Sequence, residues 1–457
     1  MTALHGLMAP PESTRPVRSS SDARRLLVVT YHFTRDDAVG GLRWAGITKY
    51  LARLGWKVSV VTAASPQGNP AGSTTHVESC RHLWTSYQLL CHLERRLVRS
   101  LPNGSPVARP SGRPGLLHRL RLEISGFLTF PMDSTRGWIL RAALRSRSLI
   151  RRFRPHVVVS SGPPHSAHLA AGMAMIGSSA RWLIDLRDPW AGALAKARES
   201  DSGAHTCLAQ ALIPRLERLA FRAAHGVITN TVQHAKALAA RYPDLAIACV
   251  PNGVDQECLP PPATDPYPGL GIAYIGTLYL GRDLAPVVQA FRLFLERHPD
   301  AAAAGSKLRI AGHAQASHAL AFDEAVAAAG LEQQVEVLGP LPRAQALNVV
   351  SHSRLVVVLA QEQVLQIPAK LYESVAMGIP TLVVAEPGSA AGIEGTRLGA
   401  VVCDPTDVEG IARVLQQVWR DGSGRRLPCP VPITYESIAP LMDELLRGNR
   451  LRPDNVD

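Results

Sequence analysis

Short apolar runs recur along the chain, separated by stretches in which apolar residues return at helical spacing. Leu26–Thr30, Lys57–Thr62, His156–Ser160, Trp182–Leu186, Gly226–Thr229 and Ala246–Val250 are brief and rich in β-branched side chains. That length and composition suit strands covered on both faces. Between them, Leu42 to Leu54 and Trp138 to Phe153 carry the period of amphipathic helices. The alternation predicts a doubly wound parallel sheet, with ligand-binding loops beyond the carboxyl ends of its strands. Proline punctuates the pattern from Pro260 to Pro268 and favours an extended linker there. A second series follows: Gly271–Ile275, Lys307–Ala311, Val335–Leu338, Arg354–Ala360, Thr381–Ala385 and Ala400–Cys403. The chain therefore reads as α/β, with domains at 24–258 and 270–434, a linker at 259–269, and a last helix and tail at 435–457.

Composition is consistent with this organisation. A chain of 457 residues exceeds one ordinary core. With 46% hydrophobic and 19% charged residues it has a globular balance, and runs such as Leu355–Ala360 are far too short to cross a bilayer. The first 23 residues hold Pro, Ser, Thr and Arg without an apolar core segment, which reads as a disordered leader rather than a signal peptide and points to the cytoplasm. Seven cysteines without Cys-x-x-Cys spacing read as scattered free thiols, so neither a disulfide framework nor a structural metal is expected.

The formal charge of +12 is concentrated in one place. From Arg95 to Arg154 there are 14 arginines, no lysine and two acids, Glu123 and Asp133, so the rest of the chain is neutral overall. Inside this segment Leu116, Leu117, Leu120, Ile124, Phe127 and Leu128 form a helical stripe, with Arg119 and Arg121 off it. Such a helix suits two settings: the domain core, or an anionic membrane surface touched through 95–154. No nucleic-acid-binding module is evident and aromatics are 5% of the chain, so nucleic acid is not an expected partner.

Gln366 to Pro380 carries the clearest chemistry. Pro368 suits a first helical turn, and Gly378-Ile379-Pro380 ends the helix before an apolar strand. Lys370 and Glu373 then share one face near a helix N-terminus, where free N–H groups attract anions. A phosphate fits beside Lys370, with ribose hydroxyls one turn further on at Glu373; a solvated ion pair is the plain alternative. Gly40 and Gly41 precede a helix after the first strand, so a phosphate or sugar approaches the backbone closely there, or the pair simply forms a tight turn. Neither matches Gly-x-Gly-x-x-Gly, which disfavours an ordinary dinucleotide-dependent dehydrogenase. Asp185 and Asp188 end and follow a strand; Asp188-Pro189 is either a turn signal or a carboxylate that orients an acceptor hydroxyl and takes its proton.

The Pro-Ala-Lys-Leu-Tyr-Glu-Ser-Val-Ala block at 368–376 resembles the motif of retaining sugar-nucleotide glycosyltransferases of family 4. Ser160–His168, Asp185–Trp190, Val250–Asp255 and Tyr274–Leu278 resemble further family blocks in the family's order. The resemblance runs from about Arg25 to the last helix. It implies the GT-B architecture, two Rossmann-like domains facing a cleft, with the last helix crossing back to the first domain. It also implies a nucleotide-sugar donor, with His165 near the donor sugar, Gly276 and Thr277 at the diphosphate, and Leu338 and Gly339 beside the base.

Two departures matter. Thr277 stands where an arginine is usual, leaving Arg282 as the nearest cation, and Leu365 stands where many members carry a first glutamate, which shifts donor-sugar recognition toward Gln366 and nearby N–H groups. With Lys370, Arg282 places two positive charges against a leaving diphosphate, electrostatic help that requires no bound metal or other cofactor. The expected activity is retaining transfer of a sugar to an acceptor hydroxyl, lipid-linked or on an envelope polysaccharide. A non-hydrolysing sugar-nucleotide epimerase and a non-catalytic sugar-nucleotide-binding partner are the alternatives.

Overall fold

The computed structural model of the chain describes residues 23–33, 39–63, 75–83, 135–191, 207–261, 263, 265–278, 281–422, 429–431 and 433–449. The expected leader, apart from Ala23, lies outside them, as do the Leu116–Leu128 helix and the arginines from 95 to 121.

Two parallel sheets organise the described residues. The first contains β1 (Arg25–Thr30), β2 (Lys57–Thr62), β3 (His76–Ser79), β4 (Val157–Gly162), β5 (Arg181–Leu186), β6 (Gly226–Thr229) and β7 (Ile247–Cys249), in the order β3-β2-β1-β4-β5-β6-β7. The second contains β8 (Gly271–Ile275), β9 (Lys307–Ala311), β10 (Val335–Gly339), β11 (Leu355–Leu359), β12 (Thr381–Val384) and β13 (Val401–Cys403), in the order β10-β9-β8-β11-β12-β13. Each order reverses once, between β1 and β4 and between β8 and β11, which makes these the switch points of doubly wound sheets.

Burial explains the unbroken apolar runs. Along β1, Leu27 and Val29 join the core under helices Arg136–Phe153 and Ser166–Met175, while Leu26 and Val28 join the opposite core under Leu42–Arg53 and Tyr435–Arg447. Successive side chains serve opposite layers, so the four positions from Leu26 to Val29 are all apolar. The second sheet repeats this, with Ile272 and Tyr274 facing one core and Ala273 the other.

Strand β3 is absent from the apolar pattern. Its His-Val-Glu-Ser sequence forms an edge strand, paired with β2 from Ser59–His76 to Thr62–Ser79. Glu78 is buried there and takes ion pairs from Arg145 and Arg152 of the helix Arg136–Phe153. A polar edge strand held by arginines 67 or more positions away leaves no local period to read.

The last helix closes the molecule. Val254 bridges Thr434 in parallel register; the Val254 N–H donates to Ile433 O at 2.9 Å and the Tyr435 N–H donates to Val254 O at 2.8 Å. From this junction the Tyr435–Arg447 helix lies on Leu42–Arg53, so residues of the C-terminal segment complete a core of the first sheet. Gly46 permits the contact, because a β-carbon there would overlap the Tyr435 ring. Gly253 does the same for Ile438, whose Cδ1 would stand 2.6 Å from an added β-carbon.

Replacing glycine by alanine inside a helix ordinarily gains about 1 kcal/mol. Gly46→Ala should instead lower the unfolding free energy, because overpacking against a buried ring costs about 1–3 kcal/mol. Urea unfolding measures the sign; an unchanged or higher midpoint would mean that Tyr435 does not depend on the space at Gly46.

Candidate active site

The predicted site residues lie at or beyond the carboxyl ends of β1, β4, β5, β8, β10 and β11, in the loops or helices that follow. They form two groups that differ in electrostatic character.

The group on the second sheet is cationic. Gly276 follows β8, and its N–H donates to Ala311 O at 2.7 Å; Gly312, at φ 145°, packs so closely on the Gly276 carbonyl that a β-carbon would overlap it. The Gly312 N–H donates to Gly339 O at 2.8 Å, and Gly339, after Leu338 at the end of β10, turns the chain at φ 68°. Close packing of these glycines leaves room for the Lys370 side chain, whose Nζ lies against Gly276 where a β-carbon would otherwise stand. Lys370 is in the first turn of the helix Ala369–Ala376, which has no acidic residue in that turn. Burial and the neighbouring Arg282 guanidinium push the lysine pKa down to about 8, and Glu373 only partly offsets them. Arg282 Nη1 donates to the carbonyl of Thr277 at 3.4 Å, so this arginine folds back toward the position where the family usually carries one. Lys370, Arg282, Gly276, Thr277 and Glu373 are thereby brought together.

Glu373 is engaged by a residue the sequence did not single out. Arg343 Nη1 donates to Glu373 Oε1 at 2.6 Å, with both side chains largely buried. Glu362, in left-handed backbone at φ 58°, rests its carboxylate against Gly281 beside Arg282. Gln366 lies where the sheets approach: the preceding carbonyl, Leu365 O, accepts from Thr231 Oγ1 of the first sheet's side at 2.8 Å.

The group on the first sheet is built from neutral imidazoles and one arginine. His165 follows β4, is 3% exposed, and stacks on Trp190 at a centroid distance of 5.3 Å. Burial, with the charges of His168, Arg187 and His234 nearby, holds its pKa well below the usual histidine range. Burial likewise brings His168 to about 3 and His234 to about 4. His165 Nδ1, His168 Nε2, His234 Nδ1, Asn230 Oδ1 and Trp190 Nε1 are buried without a hydrogen-bond partner among the described residues. Buried polar atoms in that state are ones that a water, an ion or a ligand completes.

Arg187 links Gly40 to the Pro163 segment of this cluster, and the space beside Gly40 is filled from within the chain. Arg187 Nη1 donates to Gly40 O at 2.6 Å and Nη2 donates to Pro163 O, while its guanidinium covers the face where a Gly40 side chain would project. The close approach expected at these glycines is thus made by an arginine. Burial lowers the Arg187 pKa, and the carboxylates of Asp188 and Asp185 oppose that shift. Asp188 remains half-buried. Asp185 has a structural job: fully buried, it accepts from Arg43 Nη2 at 3.1 Å, Trp44 Nε1 at 2.8 Å and Ser161 Oγ at 2.7 Å. Burial raises its pKa, but Arg43 and these donors outweigh that and keep it ionised.

Comparison with known proteins agrees with the two-sheet fold. Residues 43–257 match the family model described as Glycosyltransferase Family 4, and residues 275–421 match Glycosyl transferases group 1. No curated protein sequence shows a significant match. Among solved structures, sucrose-phosphate synthase (tll1590) from Thermosynechococcus elongatus superposes with a TM-score of 0.59 at 14% identity, over 93% of this chain and 98% of that one. Anabaena Alr3699/HepE in complex with UDP and glucose gives 0.54 at 14% identity, over 93% and 100%. A putative UDP-N-acetylglucosamine 2-epimerase from Listeria monocytogenes gives 0.52 at 14% identity, over 93% and 96%. With two family models covering both halves and a fold of paired Rossmann-like domains, the chain belongs to glycosyltransferase family 4 and is a glycosyl-transferring enzyme of GT-B architecture.

Proposed function

We propose that the enzyme moves a sugar from a nucleoside diphosphate to an acceptor hydroxyl with retention of anomeric configuration. The observation that carries this reading is Lys370 Nζ lying over Gly276, beside Arg282, at the start of a helix. Two cations and free helix N–H groups at one point suit a diphosphate, whose negative charge grows as the glycosidic bond breaks. Lys370 and Arg282 hold that charge without a metal ion. Glu373 takes the ribose, Leu338 and Gly339 flank the base, and Gln366 with nearby N–H groups meets the donor sugar in place of the glutamate replaced by Leu365. Across the cleft, neutral His165 offers a hydrogen bond to the sugar, and Asp188 orients the acceptor hydroxyl, which attacks from the face the nucleotide leaves. Arg187, which fills the face of Gly40, stiffens the turn at Gly40 and Gly41 beside the sugar site. The Anabaena structure holds UDP and glucose, which supports a nucleotide-sugar donor.

The acceptor we infer is lipid-linked or an envelope polysaccharide precursor, met at an anionic inner membrane face. Supporting this, the helix Arg136–Phe153 exposes Leu140 and Leu144 among arginines, and Met173 and Ile176 are exposed on the adjoining segment. No helix among the described residues is long and apolar enough to cross a membrane. The fold shared with the putative Listeria epimerase supplies the rival reading. Nucleotide release from a donor panel, with and without lipid acceptor, separates them: transfer needs the acceptor, an epimerase alters the sugar nucleotide without one, and a non-catalytic binder releases nothing.

Lys370→Met and Arg282→Gln should each lower kcat/KM by about 10²–10³, the cost of removing one preorganised charge stabiliser. The thermal midpoint of Lys370→Met should hold or rise. A lysine whose folded pKa lies below its unfolded value costs stability at pH below about 8, and that cost is relieved as pH rises toward the unfolded value. Parallel losses of midpoint and activity would make both residues structural.

In the free enzyme, kcat/KM for the donor should fall as pH rises through about 8, because only protonated Lys370 attracts the diphosphate. A profile flat to pH 9.5 in the parent would contradict this.

Binding to acidic vesicles should weaken as salt rises, since attraction is screened over about 8 Å at physiological ionic strength. Arg119→Gln with Arg121→Gln should weaken it further while transfer to a water-soluble acceptor analogue persists. Absence of vesicle binding at low salt would remove the membrane from the account.

A further inference from the structure

Arg343 opens the helix Arg343–His352, with Pro342 before it. A guanidinium there faces the positive end of the helix dipole, where cations are disfavoured. The Gly339-Pro340-Leu341-Pro342 turn nevertheless delivers it to Glu373, 30 residues away, at 2.6 Å from Oε1. The two side chains are 20% and 14% exposed, so the contact is well shielded from solvent. Among the described residues Glu373 Oε2 accepts no hydrogen bond, and its carboxylate lies close enough to Lys370 and Tyr435 to act on both electrostatically.

We propose that Arg343 is a positioning residue for nucleotide recognition: it fixes one oxygen of Glu373 so that the other is presented to the ribose hydroxyls of a nucleoside diphosphate. This rests on the reading of Glu373 as the ribose partner. A carboxylate left unpaired beside Lys370 would swing toward the ammonium, and the ribose would lose a fixed acceptor. Arginine suits the task because its planar fork holds a carboxylate in one orientation, whereas lysine supplies charge without that geometry. Preference for ribose over deoxyribose is therefore set jointly by Glu373 and by a residue that does not touch the nucleotide.

Calorimetric titration of the full chain with UDP, GDP and ADP, and with their 2′-deoxy and 3′-deoxy counterparts, tests this. For the nucleotide that binds, the parent should prefer the ribose form over at least one deoxy form by about tenfold, the value of one charge-assisted hydrogen bond. Arg343→Ala should reduce that preference to about threefold or less, and Arg343→Lys should fall between. The ratio is informative where affinity alone is not: general damage, or repulsion of the diphosphate by an unpaired Glu373, weakens both forms alike. If Arg343→Ala keeps the parent's ratio while Glu373→Gln loses it, the role of Arg343 is overturned and the ribose reading stands. If Glu373→Gln also keeps the ratio, or the parent shows no preference, the ribose reading itself fails.

Discussion

The buried contact between Arg43 and Asp185 underlies the rest of the molecule. Arg43 is 2% exposed and donates to Asp185 on β5, to Pro251 O at 2.7 Å, to Val250 O at 2.8 Å and to Asn252 Oδ1 at 3.1 Å. One side chain thus ties the Leu42–Arg53 helix, the central part of the first sheet and the segment that leads out of β7. Losing either partner of a buried pair of this kind costs about 3–5 kcal/mol, because the other charge is stranded. The junction between the sheets rests on that helix. Its Lys49 holds Asp255 at 2.8 Å, and its Gly46 receives Tyr435. The junction of the two sheets and the returning C-terminal helix are therefore set from the same element that borders the cleft.

Across the cleft the two sheets offer different chemistry, and burial is the cause in both cases. On the first sheet it strips charge from the imidazoles: His165, His168 and His234 are neutral at physiological pH and leave ring nitrogens without partners among the described residues. On the second it leaves Lys370 poised near pH 8 beside Arg282, a cation whose charge an arriving anion stabilises. A sugar nucleotide has matching halves, one rich in hydroxyls and one rich in charge.

Strands were legible in the sequence because both faces of each sheet are covered, which turns nearly every strand into an apolar run. Edge strand β3 was not, since its buried Glu78 depends on arginines of a helix far along the chain. At the site, motif spacing singled out Lys370 and Glu373, the family resemblance pointed to Arg282, and the fold brings the three into one group. The arginines that organise the site escaped notice for a geometric reason. Arg187 meets Gly40 across 147 residues, Arg43 meets Asp185 across 142, and Arg343 meets Glu373 across 30. No local period encodes such pairs. Asp185 shows the same limit: that this strand-end carboxylate is saturated by Arg43, Trp44 and Ser161 is visible only in three dimensions.

The central claim is that the leaving diphosphate sits on Lys370. Calorimetry of nucleoside diphosphate binding at pH 8, repeated in buffers of different ionisation enthalpy, counts the protons taken up. A lysine with a pKa of about 8 is half protonated at that pH, and an anion seated on it completes the protonation. The account predicts uptake of about half a proton per diphosphate bound, absent in Lys370→Met. Binding without proton uptake, or uptake that survives in Lys370→Met, would contradict it.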